Sequence, residues 1–184
     1  PGDLRTMTLW AGSTAELEAA GWAAPVRELL DRAFGDRFSE LDWEHGLGGL
    51  HVVVHRAGVV LSHGSVVPRP LLLGDRPVRC GYVEAVGTEP RLQGQGHGST
   101  VMRALAEQIT TRYELGGLCT GSPGFYTRLG WLTWLGPTWA DGGQRGRVRT
   151  ADEDGNVLVL PTPAIPRPQL SADLVCDWRS GDLW

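Results

Sequence analysis

The 184-residue chain reads as one α/β domain, residues 1–184, with a mixed, mostly antiparallel central sheet and helices on its faces. Three observations predict this class. A long stretch from Leu50 to Pro90 is dense in β-branched residues, segments of helical periodicity flank it on both sides, and neither repeats nor a low-complexity linker divide the chain. The resulting order, β-α-α-βββ-α-β-α-β, fits neither a sandwich nor a purely parallel barrel.

Residues 1–12, with "RTMTLWAG", predict a first strand. "STAELEAAGWAAPVRELLDRAFG" predicts a helix, because Val26, Leu29, Leu30, Ala33 and Phe34 fall at helical spacing and Gly35 stops it. "SELDWEHGLGG" predicts a second short helix or turn, capped by Ser39. The run from Leu50 to Pro90 is punctuated at Arg56-Ala57-Gly58 and Gly74-Asp75, which predicts a meander of three or four antiparallel strands. "STVMRALAEQITTRYELG" places Val101, Leu105 and Ile109 on one helical face, with Gly116-Gly117 as its expected end. "GLCTGS" reads as a brief extended segment, and "PGFYTRLGW" as a turn and a short helix closed by Gly130. A hairpin and loop in "PTWADGGQRGRVRTADEDG", the strand "NVLVLP" and a proline-rich crossing lead to the tail "DLVCDWRSGDLW".

Composition bounds the function. Apolar residues make up 41% and charged residues 21%, as in an ordinary globular protein. No apolar run approaches the roughly 20 residues that span a bilayer, and the first residues lack the layout of a secretory signal, so a cytoplasmic location and no membrane partner are expected. Cys80, Cys119 and Cys176 are odd in number and lack CxxC spacing, which disfavours a disulfide framework or a zinc cluster. All 17 basic residues are arginine. With a net charge of −4 and no basic stripe, a nucleic-acid partner is disfavoured and a cationic small molecule suits the surface better. His51 and His55 share one face of a predicted strand, but no third ligand accompanies them, so no metal site is expected.

The chemistry starts from three alternating glycines, Gly94, Gly96 and Gly98, just before the long helix. A dinucleotide-binding fingerprint fails, since Ser99 stands where its third glycine belongs; a Walker loop fails for want of lysine. The pattern that fits is Gln/Arg-x-x-Gly-x-Gly/Ala opening a helix after a strand and a proline: Gln93-Gly94-Gln95-Gly96-His97-Gly98. Successive main-chain N–H groups there form an anion nest at a helix start, and glycines let a pyrophosphate lie against the backbone. This resembles the coenzyme A loop of the GCN5-related N-acetyltransferases, whose fold has a sheet splayed at the acyl-CoA site. The preceding "YVEAVGTEP" is similar to the splayed strand that holds acyl-pantetheine in that superfamily. His97 is expected either at the coenzyme phosphates or, as a loop residue, in solvent.

"DWEHGLGGLH", "RCGYVEAV", "YTRLGW", "GPT" and the final "CDWRSGDLW" narrow the resemblance to the aminoglycoside 2'-N-acetyltransferases, from about Ala33 to Trp184. The least similar parts are the first thirty residues, "CTGSPGF" and "ADGGQRGRV". The resemblance implies acetyl-CoA as acyl donor, direct transfer in a ternary complex, antibiotic resistance as the outcome, and a homodimer. It implies that Val86, Gly87 and Thr88 line the pantetheine, with the Val86 N–H as oxyanion donor. Tyr126 becomes the general acid that protonates the departing thiolate; the plainer reading is a ring packed beside Phe125 and Trp131. Glu84 would orient the acceptor or relay its proton, helped by the carboxylate of Trp184. Acidic residues Asp36, Asp42, Glu84, Asp152, Glu153, Asp182 and the Trp184 carboxylate would meet the acceptor's ammonium groups, with Ala85 and Cys119 beside them. Asp152-Glu153-Asp154-Gly155 is also a good turn sequence without any function. Cys119 has no histidine pattern near it, which disfavours an acyl-cysteine. Two alternatives stay open: the same fold acting on another amine (a cell-wall aminosugar, a polyamine or a peptide N-terminus), and a non-catalytic acyl-CoA sensor.

Overall fold

The computed structural model describes residues 6–184, so Arg5 and the rest of the predicted first strand before Thr6 lie outside the described residues. The chain forms two compact units. One comprises the residues up to Val67 together with Val83–Leu105; the other comprises Pro68–Tyr82 and Ala106–Trp184.

In the first unit, strand β1 (Thr8–Ser13) pairs antiparallel with β2 (Leu50–Arg56), and β2 pairs antiparallel with β3 (Val59–Leu73). Between β1 and β2 lie three helices. Ser13 caps α1 (Thr14–Ala19) in a capping box with Glu16. The single helix expected over 13–35 is broken: α1 ends at Ala19, and α2 (Ala23–Phe34) starts afresh. Pro25 supplies the reason, because inside a continuous helix its ring would meet the carbonyl four residues back, whereas in the first turn of α2 it is harmless. Gly35, at φ 62°, ends α2 as expected. Ser39 caps α3 (Glu40–His45), also as expected, with Asp42 completing the box. Leu17, Val26, Leu29, Leu30, Val53 and Val60 form the core here, ringed by Trp10, Trp22, Phe34, Phe38 and Trp43.

The meander resolves into three strands, the last being β4 (Arg76–Thr88). After it comes a short 3-10 turn, Pro90–Leu92, and then α4 (His97–Arg112). Val101 and Leu105 of α4 are fully buried in the first unit.

The second unit holds the parallel pairings that make the sheet mixed. Cys80–Tyr82 of β4 run parallel to β5 (Leu115–Cys119), which pairs antiparallel with β9 (Val157–Pro161). β6 (Leu132–Thr133) adds to β9. The end of β3 pairs antiparallel with β10 (Leu174–Asp177); β10 runs parallel to β7 (Thr138–Asp141), and β7 forms the expected hairpin with β8 (Arg147–Arg149). α5 (Pro123–Thr127) is the short helix before Gly130. Gly116 and Gly117 do not end α4, which stops at Arg112; they lie inside β5. A Cβ on Gly116 would come within 2.8 Å of Leu160 Cβ, and one on Gly117 within 2.9 Å of Cys80 Sγ, so packing between neighbouring strands explains both. Among the described residues no helix is long and apolar enough to cross a membrane.

Candidate active site

β4 carries the first unit's candidates from Glu84 to Thr88. Its ladder to β5 covers Cys80–Tyr82, and the strand continues through Glu84, Ala85, Val86, Gly87 and Thr88. Ala85 breaks the extended backbone, with φ at 51°. For a residue with a Cβ, this left-handed conformation costs roughly 1–2 kcal/mol, so surrounding contacts have to fix it.

Those contacts come from four residues in the middle of β3, Ser62-His63-Gly64-Ser65. Ser65 Oγ donates to the Glu84 carbonyl at 3.2 Å, His63 Nδ1 to the Ala85 carbonyl at 2.8 Å, and Ser62 Oγ to the Gly87 carbonyl at 2.9 Å. Ser62 Oγ also lies 2.9 Å from Thr88 Oγ1. Gly64 leaves room for α4, since a Cβ there would sit 2.9 Å from Val101 and 3.0 Å from Leu105. His63 is fully buried, and its Nε2 meets Nδ1 of the equally buried His51 at 3.0 Å. His51 Nε2 in turn meets Thr14 Oγ1 at 2.9 Å. Burial pushes His51 down to about 4; burial, with His51 as a further contribution, pushes His63 down to about 3. Both rings are therefore neutral at pH 7. His55 stays outside this row, packing its ring against Trp22 at 4.6 Å between centroids. Among the described residues no three His, Cys, Asp or Glu side chains are grouped to hold a metal ion.

The glycine loop follows in the same unit. Gln93, Gly94, Gln95 and Gly96 are exposed, and Gly94 and Gly96 take left-handed φ values of 78° and 88°. No heavy atom lies within 4 Å of a Cβ built at either position, so the loop's outer face is open. Gly96 accepts from Thr100 N at 3.0 Å, which closes the first turn and leaves the preceding N–H groups of α4 facing outward from the helix start. His97 is not a solvated loop residue: it opens α4, is 3% exposed, and both its ring nitrogens are buried without a partner. Its alternation between two glycines gave no hint of burial, but as the first residue of α4 it turns its side chain inward.

Asp36 is exposed in the 3-10 turn Gly35–Arg37. Asp42 is partly spent on structure, since its Oδ2 accepts from Ser39 N at 2.7 Å and Ser39 Oγ at 2.8 Å. α3 nevertheless ends against the left-handed residue of β4, because a Cβ on Gly46 would lie 3.3 Å from Ala85 Cβ.

The remaining candidates belong to the second unit. Tyr126 sits in α5, with Phe125 edge-on at 4.8 Å between ring centroids and Trp131 edge-on at 6.5 Å. Both packing contacts of the plainer reading are thus present. Burial also pushes the phenol up to about 12, so it carries its proton throughout the physiological range. The turn Ala151–Glu153 divides the labour of its acids. Glu153 Oε2 accepts from Cys119 Sγ at 3.3 Å and Asn156 Nδ2 at 3.4 Å, whereas Asp152 is exposed. Asp154 is structural: Arg149 grips it with two nitrogens, and Thr138 Oγ1 adds a bond at 3.1 Å, together holding its carboxyl below the usual range.

The tail is docked. Trp184 is 5% exposed, and its Nε1 donates to Thr150 Oγ1 at 2.9 Å. Arg69, a residue without a sequence motif, holds the tail by donating to the Asp177 carboxylate at 2.6 Å, to the Asp177 carbonyl at 3.1 Å and to the Leu183 carbonyl. Its guanidinium also lies over the Tyr82 ring at 4.8 Å. Asp182 is exposed, and its carbonyl accepts from Arg179 Nε at 2.7 Å. Neither Arg69 nor His63 lies near a candidate in sequence. The available signal was a buried-strand pattern interrupted by polar residues, in "VVLSHGSVVPRP".

Comparison with known proteins identifies the family and the fold. The family model for the acetyltransferase (GNAT) domain matches residues 19–133. An aminoglycoside 2'-N-acetyltransferase of Mycolicibacterium fortuitum is 40% identical over 163 residues, spanning 86% of this chain and 83% of its own length. The GNAT family N-acetyltransferase YhbS from Escherichia coli, solved with CoA, has a TM-score of 0.63 at 13% identity, covering 92% of this chain and 89% of that one. A GNAT acetyltransferase from Brucella melitensis, solved with acetyl-CoA, has a TM-score of 0.53 at 21% identity, covering 83% and 94%. A GCN5-related N-acetyltransferase from Kribbella flavida has a TM-score of 0.57 at 19% identity over 72% of this chain, which spans 34% of that longer protein. At such identities the solved structures share the fold.

Proposed function

Because the chain belongs to the GNAT acetyltransferases, and among them to the aminoglycoside 2'-N-acetyltransferase family, we propose that it acetylates the 2'-amine of aminoglycosides by direct transfer from acetyl-CoA. The observation that carries the coenzyme reading is the open glycine loop, left-handed at Gly94 and Gly96, at the start of a sixteen-residue helix. The residues fit a pyrophosphate: the loop is open on its outer face, and the first N–H groups of α4 point toward negative charge. Gln93, Gly94, Gln95, Gly96, His97 and Gly98 would hold it, with Val86, Gly87 and Thr88 along the pantetheine. Acetyl-CoA, when bound, supplies an activated acetyl thioester.

The chain's own groups do the rest. The Val86 N–H, following the left-handed Ala85, would stabilise negative charge developing on the acyl oxygen. Glu84 takes up the proton the amine loses, through water where it does not touch it. Tyr126 donates a proton to the leaving sulfur, a role its raised pKa suits at neutral pH. The family resemblance assigns the acceptor's other ammonium groups to the carboxylates of Asp36, Asp42, Asp152, Glu153 and Asp182, and its ring to Ala85 and Cys119. An acetamide in place of the ammonium removes an ion pair to RNA, so resistance is the expected consequence. We also assign a homodimer to this reading, as the family resemblance implies, and keep the cytoplasmic location and the single domain over residues 1–184 that composition and the lack of a linker lead one to expect.

A matched pair of acceptors tests the regiochemistry. Free thiol release from acetyl-CoA is expected with an aminoglycoside carrying a 2'-amine and at background rate with its 2'-hydroxyl counterpart. Equal rates would show that the acetyl group goes elsewhere.

A further inference from the structure

The two buried imidazoles connect helix α1 to the left-handed residue Ala85 of β4 through an unbroken row of hydrogen bonds. The Ala85 carbonyl can only accept, so His63 Nδ1 carries the proton of that 2.8 Å bond. A neutral His63 then has a bare Nε2, and the 3.0 Å contact requires the proton on His51 Nδ1. A neutral His51 has a bare Nε2 in turn, which accepts from the Thr14 hydroxyl at 2.9 Å. Thr14 Oγ1 is itself held by the main-chain N–H of Gly48, also at 2.9 Å. Every donor and acceptor in the row is satisfied in a single direction, from Gly48 to Ala85, and both rings are forced into the Nδ1–H tautomer. Reversing any one bond strands a proton against a proton, or puts a charge on a buried ring.

We propose that this relay is a device for positioning: His63, oriented by His51 and Thr14, pins the Ala85 carbonyl and so fixes the left-handed turn that aims the Val86 N–H at the acyl oxygen. The inference rests on the proposed acetyl transfer for its kinetic consequence, though not for its geometry. Ser62 and Ser65 hold the carbonyls of Gly87 and Glu84 on either side, so the Val86 peptide is bracketed by three fixed neighbours. His63 touches no reacting atom. Its effect should therefore appear in turnover and leave coenzyme capture by Gln93–Gly98 intact.

Two measurements test it. Nitrogen-15 spectra of the histidine rings are expected to show His51 and His63 both protonated at Nδ1 and bare at Nε2. An Nε2–H tautomer or an imidazolium at neutral pH for either would overturn the relay. In kinetics, His63→Leu is expected to lower kcat by about tenfold or more, the scale of a misplaced oxyanion donor, while the Kd for CoA changes less than about twofold. His63→Asn, which keeps a donor near the Nδ1 position, should recover most of the lost turnover. Equal impairment of the Asn and Leu variants, or full activity in His63→Leu, would overturn the positioning role. Absence of turnover in the unsubstituted chain would instead overturn the proposed reaction, with the ring spectra still deciding the relay. If His63→Leu does not fold, the Asn variant and the spectra suffice.

Discussion

Replacing Arg69 with methionine should loosen the tail that ends in Trp184. Arg69 is 4% exposed at its side chain, whereas its partner Asp177 is 44% exposed, so the two sides of the ion pair weigh differently. Hydrogen bonds to a charged group contribute roughly 1.5–3 kcal/mol each, and Arg69 makes three, to the Asp177 carboxylate, the Asp177 carbonyl and the Leu183 carbonyl. The half-exposed carboxylate is rehydrated once freed, which lowers that bond toward the surface value of about 1 kcal/mol or less. The Leu183 carbonyl keeps the Cys176 thiol at 3.4 Å, and methionine retains apolar contact with Tyr82. The net loss comes to about 2–4 kcal/mol. For a chain of this size each kcal/mol shifts Tm by roughly 2–4 °C, which gives a drop of about 5–15 °C. Calorimetry reads the shift, and hydrogen exchange at residues 177–184 should rise above that of β9. Arg69→Lys should lose nearly as much, because one ammonium cannot bridge three acceptors placed for a guanidinium. A Tm within about 1 °C of the unsubstituted chain, the change a neutral surface substitution produces, with an unchanged tail, would refute the reasoning.

Other outcomes follow from the same geometry. Tyr126→Phe should lower kcat by about a hundredfold or more while CoA binding is retained. With the phenol pushed up to about 12, the unsubstituted rate should not fall between pH 8 and about pH 10 through loss of this proton, and a break near the ordinary value of about 10 would contradict the raised pKa of a buried phenol. Gly96→Val, forcing a β-branched residue to a φ of 88°, should weaken CoA binding at least about tenfold by calorimetry. His51 and His63 have depressed folded values, so their contribution to stability is complete above the unfolded value of about 6.5 and is lost as pH falls through about 4 and then about 3. Denaturation midpoints that stayed level from pH 7 to pH 4 would contradict their burial as neutral rings. Leu29→Ala, in the first unit's core, should cost roughly 2–5 kcal/mol by urea denaturation.

Local chemistry made much of the architecture readable from the sequence. Ser39, Gly35 and the helical spacing of Val101 and Leu105 placed helix ends and faces, because caps and periodicity act over a few residues. Pro25 was equally local and marks the break between α1 and α2. Gly116 and Gly117 misled for a physical reason: glycine next to a helix usually ends it, yet here the need comes from β4 and β9, residues far along the chain. The glycine loop was legible as a turn, since the left-handed backbone at Gly94 and Gly96 favours glycine. The supports of the candidate site were not. His63 reaches Ala85 across 22 positions and Arg69 reaches Leu183 across 114, separations that no pattern of spacing encodes. Their one trace is polarity inside a strand otherwise filled with valine and leucine. Asp154, legible only as part of a turn, likewise has its oxygens committed to Arg149 and Thr138.

Mass spectrometry of a 2'-amino aminoglycoside incubated with this protein and acetyl-CoA tests the account most directly. One added acetyl group, located by fragmentation on the 2'-nitrogen and formed only when protein and coenzyme are both present, is the predicted result. An acceptor recovered unmodified, or acetylated at a different nitrogen, would contradict it.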